Sequence, residues 1–286
     1  MGPGAGGRAK VARIVALSAL PVLAGCGPAY FAAEDAPEFI RKGGLDVRLV
    51  LTRAVGPPLA SVLRQFNLNH GKLHRAERLQ AWLRPRLEPL DVVMVRAKAG
   101  FTRANVPTHF SHSLVWLGAP EDMKRLGAWD LPQVRAHHAR LGGEGSVIEA
   151  SGAVVQLGGL SEITDVDEIV ILRPRAGGAA WARAKYAGLL GRLGTPFDNS
   201  FDLRDTTRLS CIELIAEAFP EFAMPVRYSK GRYALVPDDL VRLAIAGSPE
   251  IAFSLYVVPS REHGFERRGM REAAAALTHP SAGPAT

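Results

Sequence analysis

The sequence predicts an α+β domain, in which an antiparallel sheet of about five or six strands carries helices packed on it. Short apolar runs that fit strands come largely as a block before the amphipathic helix that contains Cys211. The regular β-α-β alternation of a parallel sheet is absent. Of the 286 residues, 47% are hydrophobic and 22% are charged, a globular balance that allows a full core.

Each strand is predicted from an apolar run bounded by turn residues. Ser151 and Gly152 separate two of these runs and indicate a hairpin. The predicted strands are residues 92–95, 113–117, 146–150, 153–157, 168–172 and 251–258. Helical patterns cover residues 135–141, which lie within a polar insertion at 119–145, and then residues 179–193, 211–219 and a stretch that starts at 235–240.

Residues 1–25 have the features of a secretion signal. Three basic residues precede an apolar run of about eleven residues, too short to cross a bilayer, which needs about 20. Residues 23–26 then resemble a bacterial lipobox. This resemblance implies that Cys26 carries lipid and anchors the chain to a membrane of the bacterial cell envelope. Gly27 favours the outer membrane, with the chain facing the periplasm; an ordinary cleaved signal or a chance match to the lipobox is the alternative.

Changes of composition divide the chain into five parts. After the signal, residues 26–45 contain Gly, Pro and Ala and indicate a tether. Residues 46–85 have helical spacing and predict a helical prelude. The main domain is predicted at residues 86–258. Residues 259–286 are first charged and then rich in Ala, Pro and Gly, so we expect them to be disordered or loosely helical.

The charge of the chain argues against nucleic acid as a partner. The formal net charge is +7, and removal of residues 1–25 takes away three positive charges and no negative ones, which leaves +4. No run of Lys and Arg alternates with aromatic residues. We therefore expect no nucleic-acid partner.

Cys211 is the first candidate for a site residue. Ser210 and Glu213 form a capping-box pattern, which starts a helix and places Cys211 at its first position. There the helix dipole favours the nucleophilic thiolate. Glu213 is interpreted as a cap rather than a catalyst. The alternatives for Cys211 are a small buried hydrophobic residue or a disulfide with Cys26, the only other cysteine in the sequence.

His112 and Glu149 are the candidate partners of Cys211. A cysteine nucleophile needs a base, and His112 enters an apolar strand about a hundred residues earlier. It could instead be a core histidine without a catalytic role, and His109 is a second possible base. Glu149 lies in an apolar strand and would orient the His112 ring through a hydrogen bond. Alternatively, Glu149 faces solvent or pairs with Arg173 or Arg175.

The remaining patterns predict neither a cofactor nor a metal site. His70 and His74 are four residues apart but lack the acidic neighbour of a His-Glu-x-x-His motif, so they indicate a solvated face. His137 and His138 point about 100° apart on a helix and suit a metal poorly. Glycines between 188 and 194 follow no predicted strand, so we expect no phosphate loop.

Five segments in the main domain carry a family resemblance, at residues 90–95, 110–115, 147–150, 194–198 and 210–214. In this order they resemble the bacterial YiiX-like branch of the permuted NlpC/P60 papain-like hydrolases, over residues 86–258. The resemblance implies a permuted papain-like fold with Cys211 as nucleophile, His112 as base and Glu149 as the orienting third member. The chain departs from the family at Ser210, where an aromatic residue is common, and in the long insertion.

The resemblance implies a lipid-anchored cysteine hydrolase of amidase or peptidase type, which cleaves an amide bond in a peptide or cell-wall fragment. Because the permuted superfamily also resembles lecithin–retinol acyltransferase, an acyl-lipid hydrolase or acyltransferase is the second hypothesis. A non-catalytic binding lipoprotein is the third. Digestion of muropeptides would favour the first hypothesis, and release of fatty acid from phospholipid would favour the second. Slow alkylation of Cys211 would favour the third.

Overall fold

Seven antiparallel strands form the sheet on which the chain is built. The computed structural model describes residues 70–74, 76, 78–96, 108–142, 146–175, 177–229 and 231–278. The described residues form nine strands, of which seven belong to this sheet: β1 Val92–Arg96, β2 His112–Gly118, β3 Ser146–Ser151, β4 Val154–Gly158, β5 Glu168–Pro174, β6 Arg227–Ser229, β7 Arg232–Ala234, β8 Ile251–Ser260 and β9 Gly264–Arg268. Their order across the sheet is β4-β3-β2-β1-β5-β8-β9, while β6 and β7 form a separate ribbon.

Nine α-helices surround the sheet within the described residues. They are α1 Leu79–Leu83, α2 Pro120–Arg125, α3 Pro132–Arg135, α4 His138–Leu141, α5 Leu160–Thr164, α6 Ala179–Leu190, α7 Cys211–Ala218, α8 Pro237–Ile245 and α9 Met270–Thr278. Short 3-10 helices occur at Arg84–Arg86 and Pro220–Phe222. Helix α7 packs against β2 and β3, and α8 and α9 pack against β8.

The sheet is covered by apolar side chains on both faces, which explains why its central strands are nearly continuous apolar runs. Because successive side chains in a strand point to opposite faces, β1 contributes to both cores. Val92 and Met94 pack in the core that contains Ile212 and Ile215 of α7. Val93, whose side chain points to the opposite face of β1, packs in a second core with the buried leucines of α1.

The predicted α+β class is confirmed, and the sheet has seven strands because β9 is added to the six predicted ones. Part of the segment 259–286, where we expected disorder or loose helix, is regular. Strand β9 pairs with the free edge of β8, and helix α9 follows it. Phe265 contacts Trp82 with ring centroids 5.2 Å apart, and Ala273 and Leu277 are buried. Residues 259–278 are ordered because pairing with β8 and burial against the rest of the domain offset their weak local pattern.

Two helical predictions differ from the structure. The insertion 119–145 holds three short helices, α2 to α4, where a single helix at 135–141 was predicted. The helix predicted at residues 179–193 ends at Leu190. Gly191 caps α6 there, and the chain continues in turns through Gly194, which has a positive φ that favours glycine.

The signal at residues 1–25, the tether at 26–45 with Cys26, and most of the prelude at 46–85 lie outside the described residues. Of the prelude, the described part contributes α1 and the 3-10 helix at Arg84–Arg86. In the part of the chain that the structure describes, no helix is both long enough and apolar enough to span a membrane.

Candidate active site

Helix α7 begins at Cys211 because Ser210 and Glu213 cap it. The Ser210 N–H donates to Oε2 of Glu213 at 2.6 Å, and the Glu213 N–H donates to the Ser210 hydroxyl at 3.4 Å. The predicted capping box is therefore confirmed. It makes Cys211 the first helical residue, so the thiol lies at the positive end of the helix dipole.

An extended segment fixes the position of the helix start relative to the sheet. The Leu209 N–H donates to the Pro196 carbonyl at 3.0 Å, and Leu209 forms a bridge with Phe197. The Phe197 N–H in turn donates to the carbonyl of Ala153 at 2.8 Å, in the turn of the β3–β4 hairpin. The segment thus joins the start of α7 to the hairpin that carries Glu149.

Asp238, in the first turn of α8, fixes the entry into strand β2. Its two carboxylate oxygens accept the N–H groups of His109 and Phe110, each at 2.8 Å. Asp238 is buried, so these bonds are shielded from water. His112 then begins β2 at the point where the strand reaches α7.

His112 and Glu149 form a hydrogen-bonded pair across the neighbouring strands β2 and β3. Nε2 of His112 lies 2.6 Å from Oε2 of Glu149. The other carboxylate oxygen, Oε1, accepts the Gln156 amide at 3.0 Å. Since Nε2 is held by Glu149, Nδ1 is the ring nitrogen that remains for a second partner.

That second partner is Cys211, whose thiol hydrogen-bonds to the His112 ring. Burial by itself would raise the pKa of Cys211, but the charge and hydrogen bond of His112, with a bond from the Ser113 N–H, outweigh it and lower the pKa. Burial would likewise lower the pKa of His112, yet the Cys211 thiolate and the Glu149 carboxylate raise it to about 10. Both shifts favour the thiolate–imidazolium form of the pair over the neutral form.

The three side chains are unequally accessible. Cys211 is 1% exposed as a residue, and the Glu149 side chain is 3% exposed. The His112 side chain is 18% exposed, so the imidazole is the member of the group that water reaches. The low exposure also strengthens the electrostatic coupling between thiolate and imidazolium.

The structure assigns His109, the other candidate base, to a different network. Its Nε2 lies 2.7 Å from Oε2 of Glu168, which also accepts the Tyr256 hydroxyl. Burial would raise the pKa of Glu168, but the His109 and Tyr256 hydrogen bonds outweigh it and lower the pKa to about 2. His109 is 5% exposed and acts here as a buried partner of a carboxylate.

One alternative partner of Glu149, and one of the two histidines at 137–138, make other contacts. Arg173 pairs with Asp91, with Nη2 2.8 Å from Oδ2, and thus belongs to another carboxylate. His138 stacks on Trp129 with ring centroids 3.8 Å apart, and its Nε2 lies 2.9 Å from the Trp129 carbonyl. This histidine packs as an aromatic side chain.

Two contributors to the site were missed in the sequence. Gln156 lies directly opposite Glu149 in the β3–β4 register. The turn of the hairpin, which pairs Ser151 with Val154, would have been enough to derive this register. Ser113, whose backbone N–H hydrogen-bonds to Cys211, is visible only in the folded chain, because the contact joins β2 to α7.

Cys211 is a free thiol, and Cys26 lies outside the described residues. No protein-family model matches the chain. Neither a curated protein nor a solved structure matches it. The arrangement of side chains around Cys211 is therefore the basis for a functional assignment.

Proposed function

We propose that the chain is a cysteine hydrolase of the amidase or peptidase type, with Cys211 as nucleophile, His112 as acid and base, and Glu149 as the residue that orients His112. The observation that carries the proposal is the continuous chain of contacts from the sulfur through the imidazole to a buried carboxylate. A polarised thiol, a base and an orienting group are the parts that nucleophilic acyl transfer needs.

The reaction begins with attack of the Cys211 thiolate on an acyl carbonyl carbon, which forms a C–S bond. The His112 imidazolium then gives its proton to the leaving nitrogen or oxygen as the bond from the acyl carbon to that atom breaks. In the second half, neutral His112 takes a proton from water, and the hydroxide attacks the thioester. The C–S bond breaks, the acid leaves and the thiolate–imidazolium pair is restored.

The start of α7 supplies donors for the oxyanion that forms during attack. The capping box uses the N–H groups of Ser210 and Glu213. The N–H groups of Cys211 and Ile212 take no part in that box, and they lie at the positive end of the helix. We assign the Cys211 N–H as one oxyanion donor, which would operate without a side chain at position 210.

The fold supports assignment to the permuted NlpC/P60 papain-like class, YiiX-like branch. The base and its carboxylate partner come from β2 and β3 and precede the nucleophile helix, which packs on those same strands. This matches the order that the five segments imply. With the signal and the lipobox at Cys26, we propose a lipid-anchored enzyme of the outer membrane that faces the periplasm and acts on peptides or cell-wall fragments.

The first experiment tests for an acyl-enzyme independently of the natural substrate. The purified chain is mixed with p-nitrophenyl acetate, and intact-mass and peptide-mapping mass spectrometry follow the acetyl group. We expect one acetyl group on Cys211, together with release of p-nitrophenol. The Cys211→Ala variant should fold normally and show neither signal, and His112→Ala should lose most of the rate.

The second experiment identifies the substrate class. Muropeptides and phospholipid vesicles are digested in parallel by the parent chain and by Cys211→Ala. Release of amines from muropeptides by the parent alone supports the amidase. Release of fatty acid from phospholipid alone would replace it with an acyl-lipid hydrolase. Undiminished turnover in Cys211→Ala, or no acetylation of Cys211 in the first experiment, would eliminate the mechanism.

A further inference from the structure

Two histidines and an aspartate lie together at the surface. The aspartate is far from the histidines in sequence, so no short motif contains all three residues. Nδ1 of His70 lies 3.0 Å from Oδ2 of Asp165, and Nδ1 of His74 lies 3.6 Å from Oδ1. The two imidazole rings are stacked, with centroids 3.6 Å apart and planes 13° from parallel. One ligand atom from each residue lies within 4.8 Å of the others.

The acidic neighbour that the histidine pair lacks in sequence is thus supplied from 95 residues away. Asp165 follows helix α5 and precedes β5. Its side chain is oriented before any ion arrives, because Oδ1 accepts the Gly71 N–H at 2.7 Å. Such a bond from a neighbouring group is the usual means of fixing a carboxylate ligand. The other oxygen, Oδ2, is then the one that faces His70.

Hydrogen bonds also fix the backbone of residues 71–74 against the segment that contains Asp165. The Leu73 N–H donates to the Val166 carbonyl at 2.9 Å, and the Lys72 N–H donates to Asp167 at 3.1 Å. A Cβ on Gly71 would come within 2.3 Å of the Val166 backbone, so a glycine is required for this approach. The positions of His70 and His74 relative to Asp165 are therefore set by backbone contacts.

The cluster is separate from the site at Cys211. Leu73 and Val166 belong to the core on one face of the sheet, while Ile212 and Ile215 of α7 belong to the core on the other. The side chains of His70, His74 and Asp165 are 56%, 45% and 39% exposed, so an ion reaches them from solvent. Partial burial would raise the pKa of Asp165, but the His70 and Gly71 hydrogen bonds outweigh it and lower the pKa.

We propose that His70, His74 and Asp165 bind a divalent transition-metal ion of the Zn²⁺ class, which fastens the segment at residues 70–74 to the turn before β5. Two imidazole nitrogens and one carboxylate oxygen are a common Zn²⁺ ligand set, and solvent completes the coordination sphere. Both histidines present Nδ1 to the same carboxylate, and an ion among the three atoms replaces the direct His–Asp contacts.

The test measures Zn²⁺ binding to the purified, untagged full chain after treatment with a chelator. Isothermal titration calorimetry gives stoichiometry and affinity, and thermal unfolding is recorded with and without Zn²⁺. We expect one equivalent of Zn²⁺ and a higher Tm in its presence. His70→Ala, His74→Ala and Asp165→Asn should each weaken binding at least about tenfold and abolish the rise in Tm. Asn at 165 still accepts the Gly71 N–H, which preserves the turn.

Two control variants make the result specific. His263→Gln removes an exposed histidine that lies 3.7 Å from Glu262, a surface His–Glu pair elsewhere in the chain, and should bind Zn²⁺ as the parent does. Cys211→Ser should also bind normally, since the thiol is not a ligand. The proposal is overturned if the chain binds no stoichiometric Zn²⁺, if the three ligand variants bind it unchanged, or if either control loses it. Loss in Cys211→Ser would assign the metal to the thiol instead.

Discussion

Nε2 of His112 and Oε2 of Glu149 are 2.6 Å apart across two neighbouring strands of the central sheet. Gln156, on the next strand, holds the second oxygen of the same carboxylate. The imidazole is thus oriented by three adjacent strands, which are among the most rigid parts of a fold. Nδ1 is the ring nitrogen that remains for the interaction with Cys211, and each prediction about the site depends on this order of contacts.

Replacement of Glu149 by Gln should lower the rate of acyl transfer by roughly 100-fold while Cys211 and the fold stay intact. The amide removes the buried negative charge that stabilises the imidazolium and can donate to Nε2, which favours the wrong tautomer. The rate of p-nitrophenol release measures acyl transfer, and the far-UV circular dichroism spectrum shows whether the fold is intact. Glu262→Gln, an exposed carboxylate, is the matched control. A parent-like rate in Glu149→Gln would show that Glu149 has no orienting role.

The pH dependence of Cys211 alkylation should have a midpoint below the ordinary thiol value. His112 lowers the pKa of Cys211, so the thiolate forms at a lower pH than in an ordinary cysteine. In His112→Ala only the hydrogen bonds from Ser113 are left to offset the burial of the thiol, so the midpoint should rise relative to the parent. Iodoacetamide rates at a series of pH values measure both proteins. Equal midpoints would contradict the ion pair.

Turnover by the parent should also fall as the pH rises through about 10, the pKa of His112. Above that pH the ring is neutral and has no proton for the leaving group. The profile of kcat/KM against pH should therefore keep a plateau at neutral pH and decline on the alkaline side. A decline near pH 7 would mean that the imidazolium is not stabilised by its two neighbours.

Glu213→Gln should stabilise the chain at alkaline pH and much less at acid pH. Burial, together with the charges of Asp198 and Asp202, raises the pKa of Glu213 from 4.5 to about 7. Below pH 4.5 the carboxyl is protonated in both folded and unfolded chains. Between pH 4.5 and 7 only the unfolded chain loses the proton, so stability falls as the pH rises and then levels off.

Since Gln has no proton to lose, the stability of Glu213→Gln relative to the parent should increase over this window, by on the order of 2 kcal/mol at pH 8. Urea unfolding at pH 4 and pH 8 measures the difference. A gain of the same size at both pH values would show that the effect comes from packing and not from the charge of Glu213.

Asp238→Ala should destabilise the chain by roughly 2–4 kcal/mol, because two buried N–H groups, those of His109 and Phe110, lose their acceptor. Asp238→Asn keeps one acceptor oxygen and should cost about half as much. Urea unfolding of both variants gives the ratio. Since this carboxylate holds the entry to β2, Asp238→Ala should also slow acetylation of Cys211. Equal stability of the two variants would contradict the two-acceptor role.

Local features of the chain were predictable from sequence. The strand runs, the hairpin at Ser151 and the capping box of α7 each depend on residues within about ten positions of one another, where periodicity, turn chemistry and helix caps act. The three candidate residues at 112, 149 and 211 also emerged from such local patterns. The contacts of each carboxylate and each histidine could not be predicted in this way, because the same local pattern fits a solvated and a buried side chain equally well.

The tertiary structure decided the pairings. It joined His112 to Glu149 and Cys211, assigned His109 to Glu168, brought Asp165 to His70, and ordered β9 against the free edge of β8. Except for the β8–β9 hairpin, these contacts connect segments far apart along the chain. Local propensity determines which elements form. The entropy lost when distant segments come together is offset only by burial in a common core, so only the fold specifies which side chains meet.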